Sequence, residues 1–350
     1  MVNCNEIGSE FWIENLNEDK SKLYVLSGRT AIDLILQDIL ASGSQVSSVY
    51  MPAWCCESML QPFYDRSFKI CFYDMLFKDG QIEYKVDNEC NTDIFFFTNY
   101  FGFNNTISEE TIRRFKKRGC IVIYDRTHSL FQEDSQYVDL ADYSFASIRK
   151  WLGVPCGAYV SKKDGSMIAS QLKGYPYLSE KMDAMKLKAN YILGEASISK
   201  QIFLDKYNRF SHLLVECYRD FKMDDLSLYL WNCADKDNLK IRRQANTAFL
   251  QTYLKELPQI HTMFQASESE CCLFVPVLFE TKDERNRVRN YLISHSIYCP
   301  IHWPKPHCIT KSMYVNDIFD RELSLICDQR YHENDMSRIL NTLREALDKN

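Results

Sequence analysis

The chain has 350 residues, 46% of them hydrophobic and 25% charged, with a formal net charge of −5. That balance excludes a disordered chain and suits roughly two domains, or one large α/β unit with an appendage. No basic stripe stands out, so nucleic-acid binding is not expected.

Residues 1–19 are polar and acidic, without an apolar signal core. No apolar run approaches the ~20 residues of a membrane span. The 14 cysteines are scattered and include the pairs Cys55-Cys56 and Cys271-Cys272. They read as reduced core thiols of a cytoplasmic protein.

Leu23 to Leu26 is a short apolar run followed by Ser27-Gly28-Arg29-Thr30. Residues 31 to 40 then place their apolar positions mostly on one helical face, so Ser27 to Thr30 stands at a helix N-terminus. Val46 to Met51 predicts a strand ending at Pro52, Glu57 to Phe63 a helix, and Lys69 to Tyr73 a strand. Asp93 to Thr98 is nearly all apolar, as in a buried parallel strand, and is broken by Gly102 and Asn104-Asn105. Ser108 to Arg118 predicts a helix with Ser108 as N-cap. Arg113-Arg114 and Lys116-Lys117-Arg118 are its solvated end, and Gly119 closes it. Cys120 to Tyr124 is the next buried strand, ending in Asp125. From about Leu172 to Phe221 the pattern turns helical. Leu239 to Leu254 is a further helix, and Leu273 to Phe279 a strand around Pro276, read as an edge. Asp283 to His295 is helical, Ile297 to Cys299 opens a strand, and Met336 to Leu347 is a terminal amphipathic helix. The alternation predicts an α/β/α sandwich on a mostly parallel sheet over residues 1–235, helical bridge included. A smaller α+β domain follows over 236–350.

In such sheets ligands gather at the carboxyl ends of strands, where Asn99, Asp125 and the segment after Tyr143 fall. Lys150 follows Ser147 by three residues and stands beside Arg149. A lysine used as a nucleophile must reach its neutral form, and burial with a neighbouring cation favours that. The same residues also fit a surface turn. Asp125 ends an apolar strand, where a carboxylate needs a partner. A pyridinium nitrogen would serve, and so would an ordinary strand-end cap. His128, three residues on, could reach the same ring or be a core histidine. Gly28, Arg29 and Thr30 open a helix whose free N–H groups suit a phosphate, or form a plain strand-to-helix turn.

The order of these elements resembles the DegT/DnrJ/EryC1/StrS family of sugar aminotransferases, pyridoxal-phosphate enzymes of fold type I. The matching segments are Ser27 to Ala31, Met51 to Cys55, Asn99 to Phe103, Ile123 to His128 and Ser147 to Leu152. Cys299 to Pro304 and Leu323 to Tyr331 match a subgroup. The resemblance implies a PLP cofactor held by Lys150, which also moves protons, with Asp125 on the pyridine nitrogen and His128 on the ring or its 3-hydroxyl. It implies that Gly28, Arg29, Thr30 and Ser147 hold the phosphate, and that Trp54, with Tyr100 as competitor, stacks on the ring. It further implies a homodimer that moves an amino group, from glutamate, to a nucleotide-linked keto-sugar in polysaccharide or secondary-metabolite synthesis. The chain departs from the family at Ala146, where a histidine is expected, at Arg126 for a small residue, at Asn99 for a histidine, and in a glycine stretch thinned to Gly153 and Gly157. A PLP lyase or decarboxylase, and a catalytically silent scaffold, are the alternatives.

Further candidates lie outside these segments. Cys299, His302, His307 and Cys308 cluster, but their spacing matches no common zinc finger and no metal is expected. His302 and Trp303 read as a substrate-proximal loop instead. Arg330 could bind a donor carboxylate or close an inter-domain ion pair. Tyr191 could complete a neighbouring subunit's site, with core packing the preferred reading.

Overall fold

The computed structural model describes residues 21–349 apart from 79, 104–105, 133, 168–170 and 195–197. The readings of residues 1–19 and of Asn104-Asn105 lie outside these residues. The chain runs through β1 (Lys22–Val25), α1 (Gly28–Ala41), β2 (Ser48–Pro52), α2 (Glu57–Tyr64), β3 (Lys69–Lys78), β4 (Gln81–Lys85) and β5 (Ile94–Thr98). It continues with α3 (Glu109–Lys117), β6 (Ile121–Asp125), α4 (Ser135–Leu140), β7 (Tyr143–Ser147) and β8 (Ala158–Lys162). Helices α5 (Leu178–Ile192), α6 (Lys200–Glu216) and α7 (Asp225–Cys233) bridge to the C-terminal part. That part holds α8 (Lys236–Leu254), β9 (His261–Thr262), β10 (Val275–Leu278), α9 (Lys282–Ser294), α10 (Val315–Arg321), β11 (Glu322–Leu325) and α11 (Glu333–Asp348).

The first eight strands form one sheet in the order β1-β8-β7-β6-β5-β2-β3-β4. The pairs β2/β3, β2/β5, β5/β6 and β6/β7 are parallel, and the others are antiparallel. The all-apolar reading of β5 and β6 follows from their central place, since both faces are covered. Phe96 and Ile123 face the core under α1 and α2. Phe95, Phe97 and Tyr124 face the opposite core under α3, where Phe95 stacks on Phe115 at 4.1 Å. This is the expected three-layer sandwich.

Because β8 runs against both β1 and β7, those two strands point the same way as β5 and β6. Their carboxyl ends therefore share one rim. Ala158 of β8 pairs with Val25 on one side and Ser147 on the other, which sets the start of α1 beside the end of β7.

The second sheet has the order β11-β10-β9, so β10 is central and not the edge that Pro276 suggested. The Pro276 carbonyl accepts the Met263 N–H, and β9 is so short that the ladder asks no donor of Pro276 on that side. Ile297 to Cys299 does not form a strand. It stays irregular ahead of Pro300, whose carbonyl accepts the Ser324 N–H at 2.9 Å. The C-terminal core is continuous with large-sheet residues such as Trp54, Met75 and Tyr100.

Candidate active site

Thr98, Asp125 and Ser147 close β5, β6 and β7, and register places Thr98 opposite Asp125. With Gly28 at the start of α1 they line one cavity. Lys150 follows Ser147 by one 3-10 turn, and that turn tips its side chain into the same cavity. His128, Arg149 and Trp303 complete the wall used below.

One Asp125 oxygen accepts the Thr127 N–H at 2.8 Å. Burial pushes the carboxyl above its ordinary range, while the Thr127 hydrogen bonds and the Lys150 charge oppose that shift. Thr127 is a site residue that the sequence reading missed. Its hydroxyl accepts the Ser147 N–H at 3.2 Å, and its carbonyl accepts the Trp151 indole N–H at 2.7 Å. It thus fastens the lysine turn to the end of β6.

Lys150 is made less basic by burial, with Arg149 adding to the effect and Cys56 and Asp125 opposing it. His128 is held far below its ordinary range by burial, then by Lys150 and His302. Its Nδ1 accepts the Phe101 N–H at 3.2 Å. A neutral imidazole whose Nδ1 accepts must carry its proton on Nε2. That N–H faces Lys150 Nζ across a long 3.4 Å contact, which the amine can accept only when neutral. The shift makes Lys150 easier to deprotonate than an ordinary lysine, which a nucleophilic lysine needs.

At the helix start, Ser27 caps α1 by accepting the Thr30 N–H at 3.2 Å, and the Thr30 hydroxyl donates to the Tyr218 carbonyl at 2.8 Å. Thr30 is thereby spent, does not line the cavity, and leaves the expected phosphate set. Gly28 and Arg29 remain. A Cβ on Gly28 would stand 3.6 Å from Ser147 Cβ, so it would narrow the cradle between them.

Trp54 and Tyr100 do not line the cavity either. Both are fully buried and stack on each other at 4.6 Å. The Trp54 indole donates to the His302 carbonyl and the Tyr100 hydroxyl to the Trp54 carbonyl. They are a floor between the two parts of the chain, which corrects the expected stacking role. Cys56 lines the cavity instead, with Phe145 and with Trp303, whose ring is 5.4 Å from the His128 ring and 5.8 Å from Lys150 Nζ.

His302 is buried behind this wall, 5.7 Å from His128 between ring centres. Its Nδ1 is 2.8 Å from the Ser324 hydroxyl, which donates to Glu322 Oε1 at 2.5 Å, and its own N–H donates to Glu322 Oε2 at 2.6 Å. Among the described residues, no group of three or more His, Cys, Asp or Glu is placed to hold a metal ion. Arg330 is not at the cavity. It makes a bidentate pair with Asp328 and lines a second cavity with Lys188 and Arg338. Arg126, unusual for its position, pairs with Asp134 and donates to the Tyr159 hydroxyl. Tyr191, read as core packing, is 42% exposed beside exposed Ile192 and Leu193.

The residues present fit a molecule with a basic ring nitrogen, a carbonyl and an anionic end. Asp125 is a buried carboxyl group at the cavity wall. Lys150 is less basic than an ordinary lysine, and Arg29 Nε is buried with no partner.

Neither the family models nor the curated proteins searched match this sequence. Solved structures do match the fold. NtdA from Bacillus subtilis, solved with bound cofactor PMP, superposes with a TM-score of 0.66 at 14% identity, over 94% of this chain and 73% of that one. The sugar aminotransferase CalS13 from Micromonospora echinospora gives 0.64 at 14% identity, over 93% and 87%. A DegT DnrJ EryC1 StrS aminotransferase from Brucella abortus gives 0.60 at 13% identity, over 93% and 85%. The fold is the one that these proteins share.

Proposed function

We propose that this chain is a pyridoxal-phosphate-dependent aminotransferase that transfers an amino group to a keto-sugar. The observation that carries the reading is the placement of Lys150 in one cavity with Asp125, His128 and the Gly28–Ser147 cradle, in a fold shared with aminotransferases. Bound there, the cofactor supplies an electron sink and an exchangeable carbonyl. Lys150 holds it covalently and then moves a proton between the donor Cα and the ring-side carbon, a step that a poised base speeds roughly 10²–10⁴-fold. Asp125 keeps the proton on the pyridine nitrogen. His128 presents its Nε2–H to the ring or its 3-hydroxyl. The Gly28 and Arg29 N–H groups and the Ser147 hydroxyl bind the phosphate, and Trp303 shields the cavity from water.

We take the donor to be glutamate and the acceptor to be nucleotide-linked, for polysaccharide or secondary-metabolite synthesis. The protein works as a cytoplasmic homodimer. Its exposed Ile192, Leu193 and Ile202 suit a subunit contact, which sedimentation would test. The division at residues 235 and 236 is retained as two structural units.

The deciding experiment is the visible spectrum with added PLP, for the wild type and Lys150→Ala, before and after borohydride. Imine absorption that borohydride fixes in the wild type only, and that glutamate then shifts with release of a keto acid, supports the reading. Fixation without keto-acid release points to a lyase or decarboxylase. No PLP uptake by the wild type rejects the enzyme and leaves a silent scaffold.

A further inference from the structure

Two guanidinium groups, those of Arg29 and Arg149, line the cavity. Arg29 donates through NH1 to the Leu214 carbonyl at 2.9 Å, and its Nε is buried without a partner. Among the described residues, the Arg149 side chain makes neither a hydrogen bond nor an ion pair, and no carboxylate pairs with Arg29. Arg29 disfavours the charge on Arg149: burial makes Arg149 less basic, and Arg29 is the second cause. A third cation, Lys181 of α5, is pushed down to about 8 by burial, then by Arg149 and Lys188. Its Nζ sits 4.3 Å from the centre of the Tyr207 ring.

Converging cations in a partly dry cavity are unfavourable until an anion joins them. The number of donors selects the anion. The Gly28 and Arg29 N–H groups, the Ser147 hydroxyl and two guanidinium forks exceed what two carboxylate oxygens can accept. A phosphate monoester offers three terminal oxygens and two charges, and arginine forks match it bidentately.

We infer that the Arg149 side chain, with that of Arg29, neutralises a phosphate monoester in this cavity, so that the charge of the phosphate cup comes from within one chain. The inference rests on the PLP reading for the source of the phosphate; free inorganic phosphate is the other source. It assigns Arg149 a ligand of its own, beyond its effect on the neighbouring lysine.

The test uses cofactor-free wild-type protein, Arg149→Gln and Arg149→Lys. Dissociation constants for PLP and for pyridoxal, which lacks the phosphate, are measured by absorbance. The shift of the unfolding midpoint by inorganic phosphate is measured in parallel. We expect Arg149→Gln to bind PLP about 10- to 100-fold more weakly, the loss of one charge-assisted hydrogen bond. Pyridoxal affinity should stay that of the wild type, and the phosphate-induced midpoint shift should fall. Arg149→Lys should recover part of both. Wild-type PLP affinity and phosphate response in Arg149→Gln would overturn the inference. So would equal loss of PLP and pyridoxal with a lower midpoint in buffer alone, because Arg149 would then be supporting the fold. Wild-type protein that is stabilised by phosphate, in an Arg149-dependent way, yet takes up neither PLP nor pyridoxal would overturn the cofactor reading and leave the anion site standing.

Discussion

Trp151 offers the clearest measure of how the lysine turn is held, through the substitution Trp151→Phe. The indole is 1% exposed, donates to the Thr127 carbonyl at 2.7 Å, meets Phe131 edge-on at 5.1 Å and lies under the Arg243 guanidinium at 4.6 Å. Removing the N–H leaves the Thr127 carbonyl without that donor, at about 1–3 kcal/mol. The lost ring volume of roughly 40 Å³ adds about 1 kcal/mol at ~24 cal/mol per Å³. A weaker cation–π contact adds about 0.5 kcal/mol. The expected destabilisation is about 2.5–4.5 kcal/mol, read by urea unfolding of the cofactor-free protein followed by circular dichroism at unchanged m-value. A double-mutant cycle with Arg243→Met should return a coupling of about 0.5–2 kcal/mol. A loss below about 1 kcal/mol for Trp151→Phe would refute the view that Trp151 clamps the turn.

Two predictions concern charge. Glu322 is fully buried, and burial pushes its carboxyl up to about 8 against the hydrogen bonds from Ser324 and His302. A raised acid binds its proton more tightly folded than unfolded, so its contribution to stability is full below the unfolded value near 4.5 and is lost as pH rises towards 8. Glu322→Gln should therefore gain on the wild type by a few kcal/mol, about 1.4 per unit of pKa shift, as pH is raised from 5 to 9; parallel stability curves for the two proteins would contradict this. Asp125→Asn should keep borohydride-trappable PLP but slow the spectral half-reaction with the amino donor about 10- to 150-fold, the equivalent of a charge-assisted hydrogen bond worth ~1.5–3 kcal/mol. An unchanged half-reaction rate would remove Asp125 from the proton on the ring nitrogen.

The central sheet was legible because β5 and β6 are buried on both faces, so their sequences carry continuous apolar runs. Asp125 was legible for the converse reason, a charge at the end of such a run. The helix start at Ser27 to Thr30 was legible as well, but the capping there was not. The cap consumes the Thr30 amide, and only the side-chain geometry shows it. Trp54 misled because its motif position says nothing of a partner 248 residues away, the His302 carbonyl that fixes the indole in the core. Thr127 carries no sequence signal beyond standing two residues after Asp125. Its role arises from the Asp125, Ser147 and Trp151 contacts that the fold creates. Pro276 gave the wrong place in the second sheet because the rule against central prolines assumes full-length neighbours, and β9 has two residues.

The clamp on the lysine turn also bears on the order in which the molecule can be completed. The Trp151 carbonyl accepts the Gln329 side-chain N–H at 2.7 Å across 178 residues, and the ring is covered by Arg243 from α8, whose Nε donates to the same Gln329. A chain emerging from the ribosome has made Lys150 long before it has made either clamp. Until Gln329 clears the exit tunnel, the large sheet can be in place while the lysine turn lacks its outer cover. The cavity around Lys150 is thus among the last parts of the molecule to be finished, although nearly all of its residues are synthesised in the first half.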